Sequence, residues 1–512
     1  MCIRERVYLS EDECCDSGCK LCSPDPEDSD VIDLLNYIAG DFRGSNCAHW
    51  MNDLSPATGE RIARVPCSDH TDVDAAVEAA REALPDWAAL SIDERAAYLD
   101  AIADSLEERS EEIAQLESLD TGKPISLARA VDATRSVANF RFFANEVRAF
   151  EPETFEMADA INKVVYKPVG VAGLITPWNL PLYLLSWKVA PALAMGNTVV
   201  CKPSELTPMT ASLLAEVIDD IGLPKGVFNL VHGTGQHAGA AITSHPGIDL
   251  ISFTGGTATG ALVTKAASST FKKLSLELGG KNASIVFADA DLDKTVSEVA
   301  RAAFLNQGQI CLCGSRILVE EGIYDNFVER LLTHVEEMTI GDPSDTDTDL
   351  GALISAGHLE KVRGYVELAK EEGGNILIGG DTPDGIPEVF ANGNWLAPTL
   401  IDGLEPSSRC ATEEIFGPVA TIHPFADEVE ALAIANATDY GLAGSVWTSD
   451  LDKGERIATG IETGMIWVNT WLHRDLRVPF GGVKHSGVGR EGGRWSLSFY
   501  SHAVNICIKQ NE

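Results

Sequence analysis

Apolar and polar positions recur with helical spacing from residue 71. Thr71, Val73, Ala76, Val77 and Ala80 fall on one face, which predicts an amphipathic helix. Ser91 followed by Glu94 marks a second helix start, because a Ser and a Glu three residues on can cap each other's backbone N–H groups. Helices are expected over 71–120, and 124–150 reads as a further helix rich in Arg and Phe. From residue 163 the period changes. Short β-branched runs (VVYKPVGVAGLIT, NTVVCKP, VFNLV, LISFTGG, KKLSLELGG) alternate with helical runs (LYLLSWKVAPALA, MTASLLAEVIDDIG). Such alternation predicts an α/β fold with a parallel sheet and crossover helices. A second α/β stretch spans roughly 280–465. The terminal run AVNICIKQ reads as a strand placed to pair with a partner chain.

Composition narrows the partners. The chain has 512 residues, 45% of them hydrophobic, enough for two or three domains with real cores. Lys plus Arg is 39 against 77 for Asp plus Glu, a formal net charge of −38. Such a surface repels nucleic-acid phosphates and anionic lipid headgroups, so neither is an expected partner. The acids are dispersed along the chain, which fits a protein that works in concentrated salt and so points to a halophilic source; an ordinary acidic cytosolic enzyme is the alternative. The opening MCIRERVYLSEDECC has no apolar signal core. The most apolar long stretch, 171–201, is interrupted by Pro177, Asn179, Pro181, Lys188 and Pro191, so no membrane span is expected. A cytoplasmic location with mostly reduced cysteines follows. Residues 1–30 read as a flexible tail bearing Cys14, Cys15, Cys19 and Cys22. It holds only one Cys-x-x-Cys pair and no His before His49, so no metal is expected.

Candidate chemistry gathers where predicted strands end. Gly233-Thr234-Gly235-Gln236-His237-Ala238 follows VFNLV in the G-x-G-x-x-A form of a dinucleotide fingerprint, a weak signal alone. Gly255-Gly256 follows LISFT and precedes a helical run whose N-terminal amides favour a pyrophosphate. Lys202 and Glu205 either hold an adenosine ribose, with Glu205 favouring NAD over NADP, or form a surface ion pair. Cys311 lies in the polar, Gly-bearing stretch Asn306 to Arg316; it is either reactive or one of the many inert packing cysteines. Glu277 ends a strand that reads as buried, where an unpaired charge is costly. Asn179 ends another, and its amide can donate to an oxyanion.

Taken together, TPWNLP (176–181), KPSE (202–205), LELGGK (276–281), the Cys311 segment, EEIFGPV (413–419) and PFGG (479–482) resemble the aldehyde dehydrogenase superfamily in kind and in order, over about 35–510. The resemblance implies that fold, with a Rossmann-like NAD-binding domain (31–153 and 172–277), an α/β catalytic domain (278–468) and a small β oligomerisation element (154–171 and 490–512). It implies Cys311 as nucleophile, Asn179 as oxyanion donor and Glu277 as the base that activates water on a thioester. It places Thr176, Trp178, Lys202, Ser204, Glu205, Gly235, Gly256, Glu414 and Phe416 at NAD, with Gly256 standing where the family usually has Ser. Cys313 is then a neighbour, not the nucleophile. A homodimer or homotetramer is implied.

Within the superfamily, LPLYLLSWK (180–188), QICLC (309–313), HLEKVRGYV (358–366) and TWLHRDLR (470–477) look like the 2-aminomuconic and 2-hydroxymuconic semialdehyde dehydrogenases. That likeness gives Arg135 and Arg474 to an acidic substrate, as bidentate chemistry would require. Thr134 stands where those relatives have Pro. The competing readings pair Arg135 with Asp132 and Arg474 with Asp475. Two other functions stay open: a dehydrogenase of broader range (betaine, succinic semialdehyde or aliphatic aldehydes), and a catalytically silent binding relative of the fold.

Overall fold

The computed structural model describes residues 31–510, so the four clustered cysteines of the 1–30 tail lie outside the described residues. Two helix starts follow their sequence signals. Asp69 and Asp72 cap the helix His70–Ala89 reciprocally, and Ser91 and Glu94 do the same for Ile92–Glu108. The predicted helix over 124–150 is interrupted: Ile125–Leu127 runs into a π-helical turn, Ala128–Ala133, before Thr134–Arg148 resumes.

The first sheet has eight strands. Its centre is five parallel strands in the spatial order Lys273–Glu277, Leu250–Thr254, Val171–Ile175, Thr198–Lys202 and Phe228–Leu230. Val171–Ile175 and Thr198–Lys202 are buried at every position, which is why they read as continuous apolar runs. Antiparallel additions close both edges: Gly487–Val488 on one, Asn36–Ile38 and Asp41–Arg43 on the other. Helices Ile92–Glu108, Thr134–Arg148 and Pro181–Ala194 cover one face through Leu99, Phe140, Phe143 and Leu185; His70–Ala89 covers the other through Val73 and Val77.

A second sheet of seven strands runs Asn375–Ile378, Thr399–Asp402, Val419–Phe425, Arg316–Glu320, Ala283–Val286, Ala443–Trp447 and Met465–Val468, with only the first pair antiparallel. Its core is built from residues such as Phe304, Ile317, Phe327 and Trp447.

The run VVYKPVGVAGLIT is not one strand. Ala160–Pro168 and Val171–Ile175 belong to different sheets. Pro168 has no N–H to continue the ladder, and Asn197 Oδ1 accepts the next two, Val169 N–H (2.8 Å) and Gly170 N–H (3.0 Å). The chain therefore changes sheets there. Ala160–Pro168 is the centre of a three-stranded sheet between Thr154–Glu156 and the terminal strand Ser501–Lys509. That last strand thus finds its first partner inside the chain. Its outer edge pairs with no strand among the described residues, and Ile506 and Ile508 are exposed on it. Residues just before it behave differently: Leu497 and Tyr500 pack into the core of the first sheet's domain. Among the described residues no helix is long and apolar enough to cross a membrane.

Candidate functional site

Parallel strands end on one edge, so side chains placed just past each end meet there. Asn179 follows Val171–Ile175, Gly255 and Gly256 follow Leu250–Thr254, and Glu277 ends Lys273–Glu277. Facing them from the second sheet's domain is the segment that carries Cys311. A cavity of about 580 Å³ lies between the two. It brings together Arg135, Trp178, Asn179, Gly256, Glu277, Cys311, Glu414, Phe416 and Arg474 from the sequence-derived set.

The Cys311 segment is held in an uncommon backbone. Asn306, Gln307 and Gly308 have successive positive φ values of 54°, 56° and 68°. A Gln in that region is strained and must be paid for by its surroundings. Buried amide bonds do this: Asn306 Nδ2 donates to the carbonyls of Asn179 (3.2 Å) and Gln309 (3.3 Å), and Gln307 Nε2 donates to those of Ala352 (2.9 Å) and Gly122 (3.3 Å). At Gly308 a Cβ would overlap the Gly417 carbonyl of EEIFGPV. Asn282 Nδ2 then donates to the carbonyls of Cys311 (2.8 Å) and Cys313 (2.9 Å), fixing the thiol's backbone. Burial, followed by the carboxylates of Glu414 and Glu277 and the Cys313 thiol, pushes the Cys311 thiol far above its ordinary value; Arg474 opposes this.

Asn179 is buried, and its Nδ2 donates to the Gln309 carbonyl at 2.9 Å. An amide carries two N–H bonds, so a second remains for a ligand in the cavity. Glu277 is buried with neither carboxylate oxygen hydrogen-bonded among the described residues. Burial, and then the Glu491 carboxylate, raise its pKa well above the usual carboxylate range, against the cations Lys188, Arg490 and Arg474. A buried orphan carboxylate is expensive, which makes Glu277 a candidate working group.

Glu414 Oε1 accepts the Gly280 N–H at 2.8 Å, and a Cβ on Gly279 would overlap Glu414 Oε2. The glycine pair of LELGGK is therefore the seat of a carboxylate from the other domain. Trp178 packs edge-on against Phe416 (5.3 Å, 87°) and His358 (5.1 Å, 64°). Burial lowers His358 to about 4, so the ring is neutral and Nε2 donates to the Phe416 carbonyl at 2.6 Å.

Thr176, Lys202, Ser204, Glu205 and Gly235 do not line this cavity; they continue along the same sheet edge. The Thr176 N–H donates to the Lys202 carbonyl (3.1 Å). Lys202 and Glu205 do form an ion pair, but not a fully exposed surface one: Lys202 is buried and Glu205 is partly exposed. Lys202 Nζ is 3.2 Å from Glu205 Oε2, and the Gly235 N–H reaches Glu205 Oε1 at 3.4 Å. Burial pushes Glu205 up, but Lys202 and the backbone amides of Glu205 and Gly235 outweigh it and leave the carboxyl below its usual range, hence ionised. The G-x-G-x-x-A segment opens not a long helix but a π turn, Gly235–Gly239, and a short helix, Ala240–Ser244. These residues fit a dinucleotide. Gly235 and Gly256 each face open space where a Cβ would stand, Thr176 Oγ1 and Thr254 Oγ1 are buried without partners, and the helix Thr257–Ala267 starts beside Gly256.

Both competing readings of the arginines fail. Asp132 is engaged by Lys123 Nζ (2.8 Å), and Asp475 by Arg477 (2.5 Å). Among the described residues Arg135 and Arg474 pair with no carboxylate. The Arg135 guanidinium lies over Tyr183 (5.7 Å), and that of Arg474 over Phe480 (4.2 Å) and Trp187 (5.9 Å). Two buried clusters escaped the sequence reading: Lys123 with Glu117 and Asp132, and Lys188 with Glu491 and Ser252 behind Glu277. In sequence Lys123 looks like any surface lysine, whereas Lys188, alone in the apolar run LYLLSWKVAPALA, carried a signal of burial.

The aldehyde dehydrogenase family model matches residues 42–506. A 2-aminomuconic semialdehyde dehydrogenase of Danio rerio is 47% identical over 486 residues, 94% of this chain and 99% of the relative. A 2-hydroxymuconic semialdehyde dehydrogenase of Pseudomonas sp. (strain CF600) is 48% identical over 484 residues, 93% and 99%. A betaine aldehyde dehydrogenase of Staphylococcus aureus, solved in complex with NAD+, superposes with a TM-score of 0.91 at 37% identity, covering 94% of this chain and 95% of that one.

Proposed function

Since the chain belongs to the aldehyde dehydrogenase family, we propose that it oxidises a carboxylate-bearing semialdehyde of the muconic type to the dicarboxylate, with NAD as acceptor. The observation that carries the substrate class is the pair of arginines without carboxylate partners, Arg135 and Arg474, in one cavity with Cys311. In a chain with twice as many acids as bases, two such guanidiniums beside the thiol are reserved for an anion. The muconic semialdehyde relatives support the same class.

The residues divide the work. Cys311 rests as a thiol and gives up its proton to solvent as its sulfur attacks the aldehyde carbon. Asn179, with the Cys311 backbone N–H, holds the oxygen that turns anionic in the thiohemiacetal. NAD, when bound, accepts the hydride. The thioester left on Cys311 is hydrolysed by water that Glu277 deprotonates, and the raised affinity of Glu277 for a proton suits it to that task. Glu414 and the Trp178–Phe416 pair orient the nicotinamide ribose end, while Lys202, Ser204, Glu205 and Gly235 hold the adenosine end. The ionised Glu205 repels a 2′-phosphate, which favours NAD over NADP. The exposed outer edge of Ser501–Lys509 supports assembly with a second copy as a dimer or tetramer.

The test is NADH production on a panel of acidic semialdehydes and uncharged aldehydes, with NAD and NADP in parallel. Arg135→Ala and Arg474→Ala are each expected to lower kcat/KM for the acidic substrates about 10- to 100-fold, the worth of a charge-assisted pair, and to spare uncharged aldehydes. Equal losses on both classes, or no preference for acidic semialdehydes in the unaltered enzyme, refute the assignment. Faster turnover with NADP refutes the cofactor preference.

A further inference from the structure

The oxyanion amide and one substrate arginine stand on different elements, yet a single buried ammonium touches the supports of both. Lys123 Nζ lies 2.8 Å from Asp132 Oδ2, 3.1 Å from the Asn179 carbonyl oxygen and 3.6 Å from Glu117 Oε2. All three side chains are completely buried, and burial raises Asp132 to about 7 against the pull of Lys123. Two N–H bonds of Nζ meet the Asp132 and Asn179 oxygens, and the Glu117 carboxylate stands beside them as an ion partner, so one lysine atom ties three segments together.

Each of the three contacts fixes something in the cavity. The Asn179 carbonyl belongs to the residue that lines the cavity together with Cys311. Glu117 Oε1 accepts the Leu182 N–H at 2.9 Å, so the chain on the far side of Asn179 is pinned by the same cluster. Asp132 lies in the π-helical turn Ala128–Ala133, three residues before Arg135. A turn of this kind displaces the side chains that follow it, and is common at functional sites. The frame closes through Asn139 Nδ2, on the Arg135 helix, which donates to the Tyr183 carbonyl at 3.1 Å. Tyr183 in turn lies under the Arg135 guanidinium. The donor for one end of the substrate and the cation for its other end are therefore parts of one rigid frame, with Lys123 at the node.

We infer that Lys123, through Asp132, is a positioning residue that sets the separation between the Asn179 amide and Arg135, and so selects semialdehydes whose carboxylate stands at that distance from the aldehyde. The inference rests on the proposed function. A buried ion pair is weak as a source of stability, so a role in register explains its presence better than a role as a staple. A substrate that must engage both ends at once feels a loosened register twice; an uncharged aldehyde that engages only Asn179 feels it once.

The experiment compares kcat/KM for an acidic semialdehyde and for an uncharged aldehyde in the unaltered enzyme, Asp132→Asn, Lys123→Met, Arg135→Ala and the double variant Arg135→Ala with Asp132→Asn. Asp132→Asn keeps shape and one acceptor, and carries the test if Lys123→Met does not fold. The acidic-to-uncharged ratio is expected to fall about tenfold or more in Asp132→Asn, since misplacement by about 1 Å costs that much. On the Arg135→Ala background the same change should leave the ratio where it is. Equal losses on both substrates in Asp132→Asn, or a ratio that does not move, overturn the inference. A preference for acidic substrates that is present in the unaltered enzyme, abolished by Arg135→Ala and untouched by Asp132→Asn defeats this inference alone; a preference absent from the unaltered enzyme defeats the proposed function beneath it.

Discussion

At the scale of the residue, Glu277 and Cys311 are a pair with conflicting needs. Both are held above their ordinary pKa values by burial, and the Glu277 carboxylate pushes the Cys311 thiol up further. The carboxyl is therefore protonated over a wider pH range than an ordinary Glu, and the base form grows as pH rises through its elevated value. Thioester hydrolysis should accelerate with pH over that range. Glu277→Gln keeps the shape but cannot take a proton. It is expected to leave a stoichiometric burst of NADH, followed by turnover slowed about 10²- to 10⁴-fold and no longer rising with pH. Rapid-mixing absorbance at the NADH band reads both phases. A variant that loses the burst along with the turnover would put Glu277 in the attack rather than in the hydrolysis.

At the scale of the element, the left-handed run Asn306–Gly308 does what no single side chain does: it turns the chain sharply after the helix Leu292–Phe304 and presents Cys311 to the sheet edge. Gly308→Ala adds a Cβ against the Gly417 carbonyl in a backbone that L side chains rarely adopt. It should cost about 1–3 kcal/mol of stability and slow alkylation of Cys311 by an aldehyde-sized thiol reagent. Unchanged alkylation and unchanged melting would show that the segment shifts freely. The sequence announced this turn only through its polar, Gly-bearing character, because positive φ at Asn306 and Gln307 is set by distant carbonyls, those of Asn179, Gly122 and Ala352. The same reason divides what could be read from what could not. Parallel strands buried on both faces are continuous apolar runs, and their ends mark Asn179, Gly256 and Glu277. The switch of sheets at Pro168 was hidden, since β-branched residues continue on both sides. The π turn at Ala128–Ala133 was hidden too, as ARAVDATRS holds no Gly or Pro to mark a break. Asp132 could be weighed only against its sequence neighbour Arg135, whereas its partner, Lys123, comes from another element.

At the scale of the molecule, the net charge of −38 acts on stability rather than on chemistry. Exposed ion pairs such as Arg148 with Asp100 and Arg129 with Glu111 are attractive, and salt weakens them. Each such pair is worth about 0–1 kcal/mol at most, and the 39 basic residues cannot neutralise 77 acids whatever their arrangement. The remaining carboxylates repel one another over distances comparable with the Debye length, about 10 Å at 0.1 M salt and 3 Å at 1 M. Screening therefore removes more repulsion than attraction, and the sign of the salt effect follows from the excess of acids. The melting temperature is expected to rise by several degrees between about 0.1 M and 2 M KCl, with most of the gain below about 1 M, where the Debye length shrinks fastest. Chloride salts are the appropriate series, because sulfate stabilises by exclusion from the surface regardless of charge. A melting temperature that is flat or falls with KCl would mean that the acidic surface is already neutralised by its own pairs, and the expectation of a salt-adapted protein would fall with it.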